Sequence, residues 1–402
     1  MGRERMQNEI SFGRELMKQG DFALADAHFS KLMLRDFENH EIHRARIAIA
    51  QRLNDRRILS ARLKQFLKIA PDEIFERALF ALIGAMQSLT VARVEIEVLL
   101  GLARAQGLDA RSATPLVKLI HFAASPSARK DQLNAVRSLL SHKVSQDSQN
   151  TFAEQSIQAG IALALQDHTT FADDIAKLND VVVQGKDKQQ LRILRRTLDK
   201  ITSPKYPNFE APKVFAIGLS RTGTSSLHAG LRRLQYHSVH WLNPISHDLI
   251  QQKDFLLFDA FSDICVSHQF EWLFHTYPNS KFIYTTRDVQ NWSTSIQSHY
   301  ERMHGNRRLE NLRTSSYKAR FRNAGGEMDS NLYARHESWE DAYLAFDTRV
   351  RRFFDESRND RFLELAVVKG EGWEKLCPFL GHVQPETAFP CLNAKAIKGT
   401  QK

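Results

Sequence analysis

The chain has 402 residues, of which 42% are hydrophobic and 25% charged, a composition typical of globular proteins rather than disordered or fibrous ones. Its 56 Lys and Arg exceed its 46 Asp and Glu, so the net charge of +10 favours an anionic partner: a nucleic acid, a membrane surface or a phosphorylated small molecule. The three cysteines form no CxxC pair, which predicts a reducing compartment without a disulfide framework. The N-terminus has no signal-peptide pattern and no apolar run is long enough to span a membrane, so we expect a cytoplasmic protein.

The first 200 residues have helical periodicity, with few glycines or prolines and apolar residues every three or four positions. Two runs superimpose with a shift of 34 residues, which places Ala27 on Ala61, Phe29 on Leu63 and Leu32 on Phe66. This period resembles that of tetratricopeptide repeats over about residues 10–105, in which helix pairs bury their apolar faces by stacking. The resemblance implies a surface for a protein or peptide partner. The alternative is an irregular helical bundle.

A proline-rich stretch at residues 202–212 indicates a linker, so we predict two domains, residues 1–202 and 203–402. Beyond the linker, short apolar runs alternate with helical segments. The predicted strands are residues 214–217, 256–258, 282–285 and 362–368. This alternation predicts an α/β domain in which helices cover both faces of a parallel sheet, preceded by the all-α domain.

The most informative motif is the phosphate loop, residues 218–226, which follows the first predicted strand. Gly218 and Gly223 let the backbone curl so that its N–H groups point inward, and hydroxyl groups open the next helix at its positive end. Such a loop binds a phosphate or sulfate group, and the alternative is a tight turn without a ligand. The glycine spacing is that of a Walker A loop, but Thr224 replaces the phosphate-clamping lysine, which disfavours a kinase-like phosphotransferase. Arg221 provides a cation within the loop instead.

This loop resembles that of sulfotransferases that depend on 3′-phosphoadenylyl sulfate (PAPS), in the subgroup with the pattern GxxRTGTxSL. The resemblance implies a fold like that of the P-loop nucleoside triphosphatases and a loop that holds the 5′-phosphosulfate of the donor. It assigns donor binding to Ser220, Arg221, Thr222, Gly223, Thr224, Ser225 and Ser226. Arg221 is also expected to be catalytic, because it would stabilise the charge that develops during transfer.

A second motif consists of Arg287, at the end of a predicted strand, and Ser295, eight residues later on a predicted helix. A guanidinium and a hydroxyl in these positions are able to converge on one dianion. In the resembled family an Arg and a Ser at this spacing hold the 3′-phosphate of the donor. Taken alone, Arg287 and Asp288 would be a commonplace surface ion pair.

The segment of residues 369–381 resembles the C-terminal part of the same subgroup, so the resemblance covers about residues 212–395. It implies that Lys369 and Gly370 form a basic loop near the nucleotide. Trp373 either packs in the core or contacts the ligand.

The general base of a sulfuryl transfer should lie at the end of a strand that faces the phosphate loop. The resemblance implies a His or an acidic residue there. Asp263 fits this position best and Asp259 second, while the alternative for Asp263 is a helix N-cap. His228 and His268 are weaker options.

A metal site is not expected, because the nearest pair of ligand type, His237 and His240, has no further ligands around it in the sequence. The co-substrate that the resemblance implies is PAPS, and no metal is predicted to act with it.

The segment from His299 to Arg352 is rich in arginine and aromatic residues and interrupts the α/β pattern. As a lid, this segment would cover the acceptor site. Its positive charge suggests an acidic or hydroxylated acceptor. The alternative interpretation of the segment is a helical face exposed to solvent. The subgroup often has His-Asn after Tyr343, where this chain has Phe346 and Asp347. This departure suggests a different acceptor or impaired activity.

These observations favour transfer of a sulfuryl group from PAPS to a hydroxyl or amine acceptor by in-line displacement. The alternatives are a non-catalytic interaction scaffold with a degenerate nucleotide fold and a kinase-like phosphotransferase. Binding of nucleic acid is disfavoured, because it rests on the positive net charge alone.

Overall fold

The computed structural model describes residues 2–53, 55–85, 88–144, 152–178, 183–304, 309, 328, 330–357 and 360–392. The chain divides into two compact units. The first comprises Met1–Gln149 and Arg302–Gly305, and the second comprises Asn150–Glu301 and Asn306–Lys402. In the part of the chain described, no helix is both long enough and apolar enough to cross a bilayer.

The first unit is helical throughout its described residues, in agreement with the sequence periodicity. Its helices are α1 (Gly2–Gln19), α2 (Phe22–Met33), α3 (His40–Leu53), α4 (Arg56–Phe66), α5 (Ile74–Ala85), α6 (Leu89–Gln106), α7 (Ala110–Ala123) and α8 (Pro126–Val144). Helices α2 and α4 begin 34 residues apart, as do α3 and α5, which is the period read from the sequence. Buried apolar residues such as Phe29 and Ile42 form a core between the first helices.

The second unit contains three further helices and then a parallel sheet. In chain order its elements are α9 (Phe152–Ala164), α10 (His168–Ala176), α11 (Gly185–Ile201), β1 (Val214–Ala216), α12 (Thr224–Arg233), β2 (Ser238–His240), β3 (Ala260–Ser262), α13 (Ile264–Ser267), α14 (Phe270–Thr276), β4 (Lys281–Thr285), α15 (Val289–His304), α16 (Trp339–Ser357), β5 (Phe362–Leu365) and α17 (Trp373–Leu380). The strand order is β2-β3-β1-β4-β5, and every pair is parallel.

Alternate residues of the strands face opposite sides of this sheet, and both sides are buried. On one side, Val214 and Ala216 pack with Leu227 and Leu231 of α12 and with Trp373 of α17. On the other side lies a cluster of aromatic rings, including Phe215, Phe255, Phe261, Tyr277 and Phe282. The α/β class predicted from the sequence is therefore confirmed.

Two predicted strands differ from the observed ones. Residues 256–258 do not form a strand; a 3-10 helix covers Gln252–Leu256, and β3 begins at Ala260. The Asp254 carboxylate causes this, because it accepts hydrogen bonds from Gln251 N and Asn243 Nδ2 and closes the turn. β5 ends at Leu365, and a second 3-10 helix covers Val367–Lys369.

Helices α9–α11 precede the predicted boundary at residue 202 but pack within the second unit. Gln190 Nε2 donates to Pro244 O (3.1 Å), and Lys253 Nζ donates to Ala164 O (3.2 Å). A Cβ at Gly160 would lie 2.3 Å from the backbone oxygen of Ile245, so α9 approaches that loop at backbone distance. The compact units thus divide near residue 150, about fifty residues before the linker.

Candidate active site

The phosphate loop connects β1 to α12, and close contacts require its two glycines. A Cβ at Gly218 would lie 1.7 Å from Thr285 Oγ1 and 2.6 Å from Thr222 Oγ1. Gly223 has φ 109°, and its Cβ would lie 2.8 Å from Val367 Cβ. Any side chain at either position would displace a neighbouring element.

Side chains from two helices hold the backbone of the loop. Ser267 Oγ, at the end of α13, donates to Gly218 O (2.8 Å). Trp292 Nε1, on α15, donates to Ser220 O (2.9 Å), and its ring is fully buried. The sequence reading did not identify Trp292, because its partner is a backbone atom far away in the chain.

The Thr222 side chain forms hydrogen bonds that hold the loop itself. Its hydroxyl donates to Leu219 O (2.6 Å) and lies 2.7 Å from Thr285 Oγ1, and its N–H also bonds to Leu219 O (3.2 Å). The side chain is buried. Thr222 was predicted to bind the donor. In this structure its side chain stabilises the shape of the loop.

Three predicted donor-binding residues open α12. The N-cap Gly223 provides no side-chain hydrogen bond, so the first N–H groups of the helix have no side-chain cap. Thr224 is buried, and Ser226 Oγ accepts from Leu392 N (2.9 Å) of the C-terminal segment. Ser225 Oγ lies 3.2 Å from His240 Nε2.

Arg221, Arg287 and Ser295, which were predicted to bind the donor, lie together on one side of the loop. Arg221 Nε donates to Ser295 Oγ (3.3 Å), which brings the loop against α15. Arg287 Nη1 donates to Arg221 O (3.0 Å). Burial lowers the pKa of Arg287 from its usual value, with Asp288 and Tyr343 acting against this effect. Two guanidinium groups and a hydroxyl thus come together from three separate elements.

Tyr343 on α16 fixes the backbone of Arg287. Its hydroxyl accepts from Arg287 N (2.9 Å) and donates to Arg287 O (2.6 Å). Phe346 stands where the resembled subgroup often has a histidine. It is buried between the rings of Phe270 and Tyr284, at centroid distances of 6.1 and 6.0 Å. Position 346 therefore belongs to the core.

Lys369 and Gly370 follow β5, with Lys369 at the end of a 3-10 turn and Gly370 as its C-cap. Val367, which begins this 3-10 turn, contacts Gly223, while Lys369 and Gly370 are exposed to solvent. Trp373 belongs to the core, because it is buried and its Nε1 donates to Thr387 O (2.7 Å).

A cluster of polar side chains lies on the other side of the phosphate loop, at the ends of β2 and β3. His240 Nδ1 lies 2.9 Å from Ser262 Oγ, and His240 Nε2 lies 3.3 Å from Asp263 Oδ2. Asp263 Oδ1 accepts from Ser220 Oγ (2.7 Å) and from Ile264 N (2.8 Å). Asp263 is thus the N-cap of α13, as the alternative interpretation had it, and also a neighbour of the loop.

The C-terminal half of the chain matches a known protein family. Residues 213–397 match the family model of the sulfotransferase domain. The match confirms the sulfotransferase resemblance of the sequence motifs. A relative, Ava biosynthesis cluster protein M of Aspergillus versicolor, is 29% identical over 211 residues, which are 44% of this chain and 79% of the relative.

Two solved structures resemble the chain at low similarity. PilW, a widely conserved type IV pilus biogenesis factor, is 15% identical with a TM-score of 0.37, over 48% of this chain and 84% of its own. The TPR domain of P58(IPK) is 11% identical with a TM-score of 0.22, over 88% of this chain and 99% of its own.

The second candidate base, Asp259, lies at the opposite edge of the parallel sheet, at the start of β3. It precedes β3, and its carboxylate binds Lys200 Nζ and accepts from His237 N (3.1 Å). Burial would raise the pKa of Asp259, but Lys200 outweighs this effect and lowers it. Because the phosphate loop follows the carboxyl end of β1, Asp259 is on the wrong side of the sheet for proton transfer.

Two other histidines within residues 213–397 are shielded from solvent: His237 is buried, and His228 is partly buried. Burial, with smaller effects of His240 and Arg232, lowers the pKa of His228 to about 3, so His228 is neutral near pH 7. Its Nδ1 lies 2.9 Å from Ser238 Oγ. Burial lowers the pKa of His237 to about 4 despite the neighbouring Asp259.

Within the described residues, no group of three or more His, Cys, Asp or Glu side chains is arranged to hold a metal ion. The central part of the predicted lid, residues 305–308 and 310–327, which carries five of the segment's ten arginines, lies outside the described residues.

Proposed function

We propose that the sulfotransferase domain transfers a sulfuryl group from PAPS to a hydroxyl or amine acceptor. The observation that carries this proposal is the convergence of Arg221, Arg287 and Ser295 beside the phosphate loop. PAPS bears its 5′-phosphosulfate and its 3′-phosphate on one ribose, so its two anionic groups need binding groups that are neighbours. The contact of Arg221 with Ser295 meets that requirement.

The chemistry of these side chains also fits the donor. Arg221 and the uncapped N–H groups of α12 would hold the phosphosulfate, and Arg287 with Ser295 would hold the 3′-phosphate. Each hydrogen bond to a charged group contributes about 1.5–3 kcal/mol. Lys369 is exposed and follows Val367, which contacts Gly223, by two residues. Lys369 would therefore add positive charge near the phosphate loop.

During transfer, negative charge develops on the oxygen that joins the leaving phosphate to the sulfur. Arg221 and the N–H groups of the loop would stabilise this charge from fixed positions. The loop is kept in place by Ser267 and Trp292, so it needs little reorganisation when charge develops.

Phosphoryl transfer from ATP fits this loop less well, because Thr224 occupies the position of the Walker lysine. A degenerate scaffold is disfavoured because the loop, Arg287 and Ser295 are all present and in contact.

The proposal is tested by calorimetric titration with adenosine 3′,5′-bisphosphate, the donor without its sulfuryl group. We expect Arg287→Ala to weaken binding by at least about 30-fold, because about 2 kcal/mol of charge-assisted hydrogen bonding is lost. The matched control is Arg352→Ala, which removes an exposed arginine of α16 and should leave the affinity unchanged. Equal loss in both variants would show that only net charge matters and would contradict the proposed site.

For the rest of the molecule we propose that the helical unit binds a protein or peptide. We also propose that the protein acts in a reducing compartment such as the cytoplasm, since all three cysteines are free thiols and two of them are buried.

A further inference from the structure

We propose that His240 is the general base of the sulfotransferase domain and that Asp263 positions it and stabilises its protonated form. This inference rests on the proposed function, and it revises the sequence-based assignment of the base to Asp263 itself.

The sheet register brings these two residues together. His240 is the last residue of β2 and pairs with Ser262, the last residue of β3. Asp263 follows directly, so both side chains lie at the carboxyl edge of the sheet, where the phosphate loop leaves β1. Ser225 of the loop contacts His240, and Ser220 contacts Asp263.

The hydrogen bonds on one side of His240 are compatible with the Nδ1–H tautomer. Ser262 Oγ donates to Val239 O (3.4 Å), so the same oxygen accepts from His240 Nδ1–H (2.9 Å). Nε2 then carries the free electron pair, which is what a general base requires. Nε2 already has a hydroxyl group beside it, Ser225 Oγ at 3.2 Å, and this is the approach an acceptor hydroxyl would make.

Asp263 has the contacts of a positioning residue. Its Oδ1 is occupied by Ser220 Oγ and Ile264 N, while Oδ2 lies 3.3 Å from His240 Nε2. A carboxylate at this distance stabilises the imidazolium once Nε2 has taken a proton. The His240 side chain is also the more exposed of the two, at 23% against 13%.

The remaining group that faces the imidazole is His228 of α12. Its ring stacks on that of His240 at 5.7 Å between centroids. Because its pKa is lowered to about 3, His228 adds no positive charge at neutral pH that would oppose protonation of His240. Among the contacts described for His240, the one with a charged group is therefore the contact with Asp263.

The proposed step conserves atoms and charge. The acceptor oxygen forms a bond to sulfur while its proton moves to His240 Nε2. The bond between sulfur and the bridging oxygen breaks, and its electron pair leaves with adenosine 3′,5′-bisphosphate. No oxidant or reductant takes part.

The test uses the full chain, radiolabelled PAPS and water as the acceptor, with release of labelled sulfate measured in single turnovers from about pH 5.5 to 8.5. We expect His240→Ala to slow release by about 100-fold or more and free imidazole to restore about a tenth of the lost rate. Asp263→Asn should lower the maximal rate, and Asp263→Glu should retain more of it, because the imidazolium keeps an anionic partner in the second variant only.

The control variant is His275→Ala, which removes an exposed histidine of α14 and should leave the rate unchanged. Every variant is also titrated with adenosine 3′,5′-bisphosphate. If His240→Ala binds the bisphosphate normally and releases sulfate within about threefold of the unmodified chain, the base assignment is overturned while donor binding stands. If the unmodified chain binds the bisphosphate normally but does not release sulfate from PAPS, this result would likewise count against His240 as the base. If the unmodified chain does not bind the bisphosphate, the proposed function fails and this inference with it.

Discussion

At the scale of single residues, backbone strain concentrates around the site. Arg221 in the phosphate loop, Trp241 directly after β2 and Asp263 directly after β3 have φ angles of 74°, 65° and 84°. Such conformations cost about 1–3 kcal/mol each in residues other than glycine. Specific contacts hold them, such as the hydrogen bond from Arg287 to Arg221 O. Three neighbouring strand ends are therefore kept in unfavourable shapes on the side of the sheet where chemistry is proposed.

The sequence allowed Arg221, Arg287 and Ser295 to be identified, because their motifs are local and lie at fixed spacings. It did not allow His240 to be linked to Asp263. Their contact depends on β2 lying next to β3, which is a property of the sheet order, and β2 is only three residues long. The sequence showed His240 only as a member of the pair His237 and His240, which was considered for metal binding.

Gly218→Ala should make the second unit unfold more easily, because the added Cβ would overlap Thr285 Oγ1. We expect a loss of about 3 kcal/mol or more in the free energy of unfolding. Gly381→Ala is the matched control: it has open space and a left-handed φ of 76°, so it should cost only about 1–2 kcal/mol.

Urea unfolding followed by tryptophan fluorescence measures this difference, since all five tryptophans lie in the second unit. An equal cost for the two substitutions would show that the Thr285 contact is not rigid.

At the scale of elements, the C-terminal segment fastens the helix that carries the phosphate loop. Leu392 N donates to Ser226 Oγ at the start of α12, and Arg233 at its end donates to Ala388 O. The ring of Phe389 fills the space beside Gly230, where a Cβ would lie 3.0 Å from it. The C-terminal motif therefore supports α12 in this structure.

Phe389→Ala should loosen this attachment and lower the free energy of unfolding by about 3 kcal/mol, since it leaves a void against Trp373, Gly230 and Gly372. Val383→Ala lies in the same segment, but its side chain is 91% exposed, so it should cost less than about 0.5 kcal/mol. Tryptophan fluorescence in urea again provides the measurement. Similar losses in both variants would contradict the attachment of α12 through Phe389.

Element boundaries show where sequence reasoning reached its limit. The helix period of 34 residues and the strand β4 were predicted because both leave long, regular patterns. The strand predicted at residues 256–258 was wrong because side-chain capping by Asp254 decided the local structure there, and apolar periodicity carries no information on such a contact.

At the scale of the whole molecule, the linker at residues 202–212 is not where the compact units divide. Helix α11 is joined to the sheet through Lys200 and Asp259, and Arg196 Nη1 donates to Gln235 O (3.1 Å). These contacts are long-range and leave no trace in composition, whereas the prolines that suggested a boundary are local. The boundary at residue 202 remains a prediction that folding experiments can decide.

A fragment of residues 150–402 should therefore unfold cooperatively in urea with a midpoint close to that of the full chain. A fragment of residues 203–402 should lose this transition, because Asp259 and the loop before β3 lose the helices that cover them. Tryptophan fluorescence follows both fragments. A cooperative transition of equal midpoint in the shorter fragment would place the boundary at residue 202 instead.

The central claim is that the site holds a nucleotide with phosphates on both the 3′ and 5′ positions of one ribose. The most direct measurement compares, by calorimetry, the affinity of the full chain for adenosine 3′,5′-bisphosphate with that for ATP and Mg²⁺. Two charge-assisted contacts to the 3′-phosphate, from Arg287 and Ser295, predict a preference for the bisphosphate of about 100-fold or more. A preference for ATP, or equal affinity for both, would contradict the account.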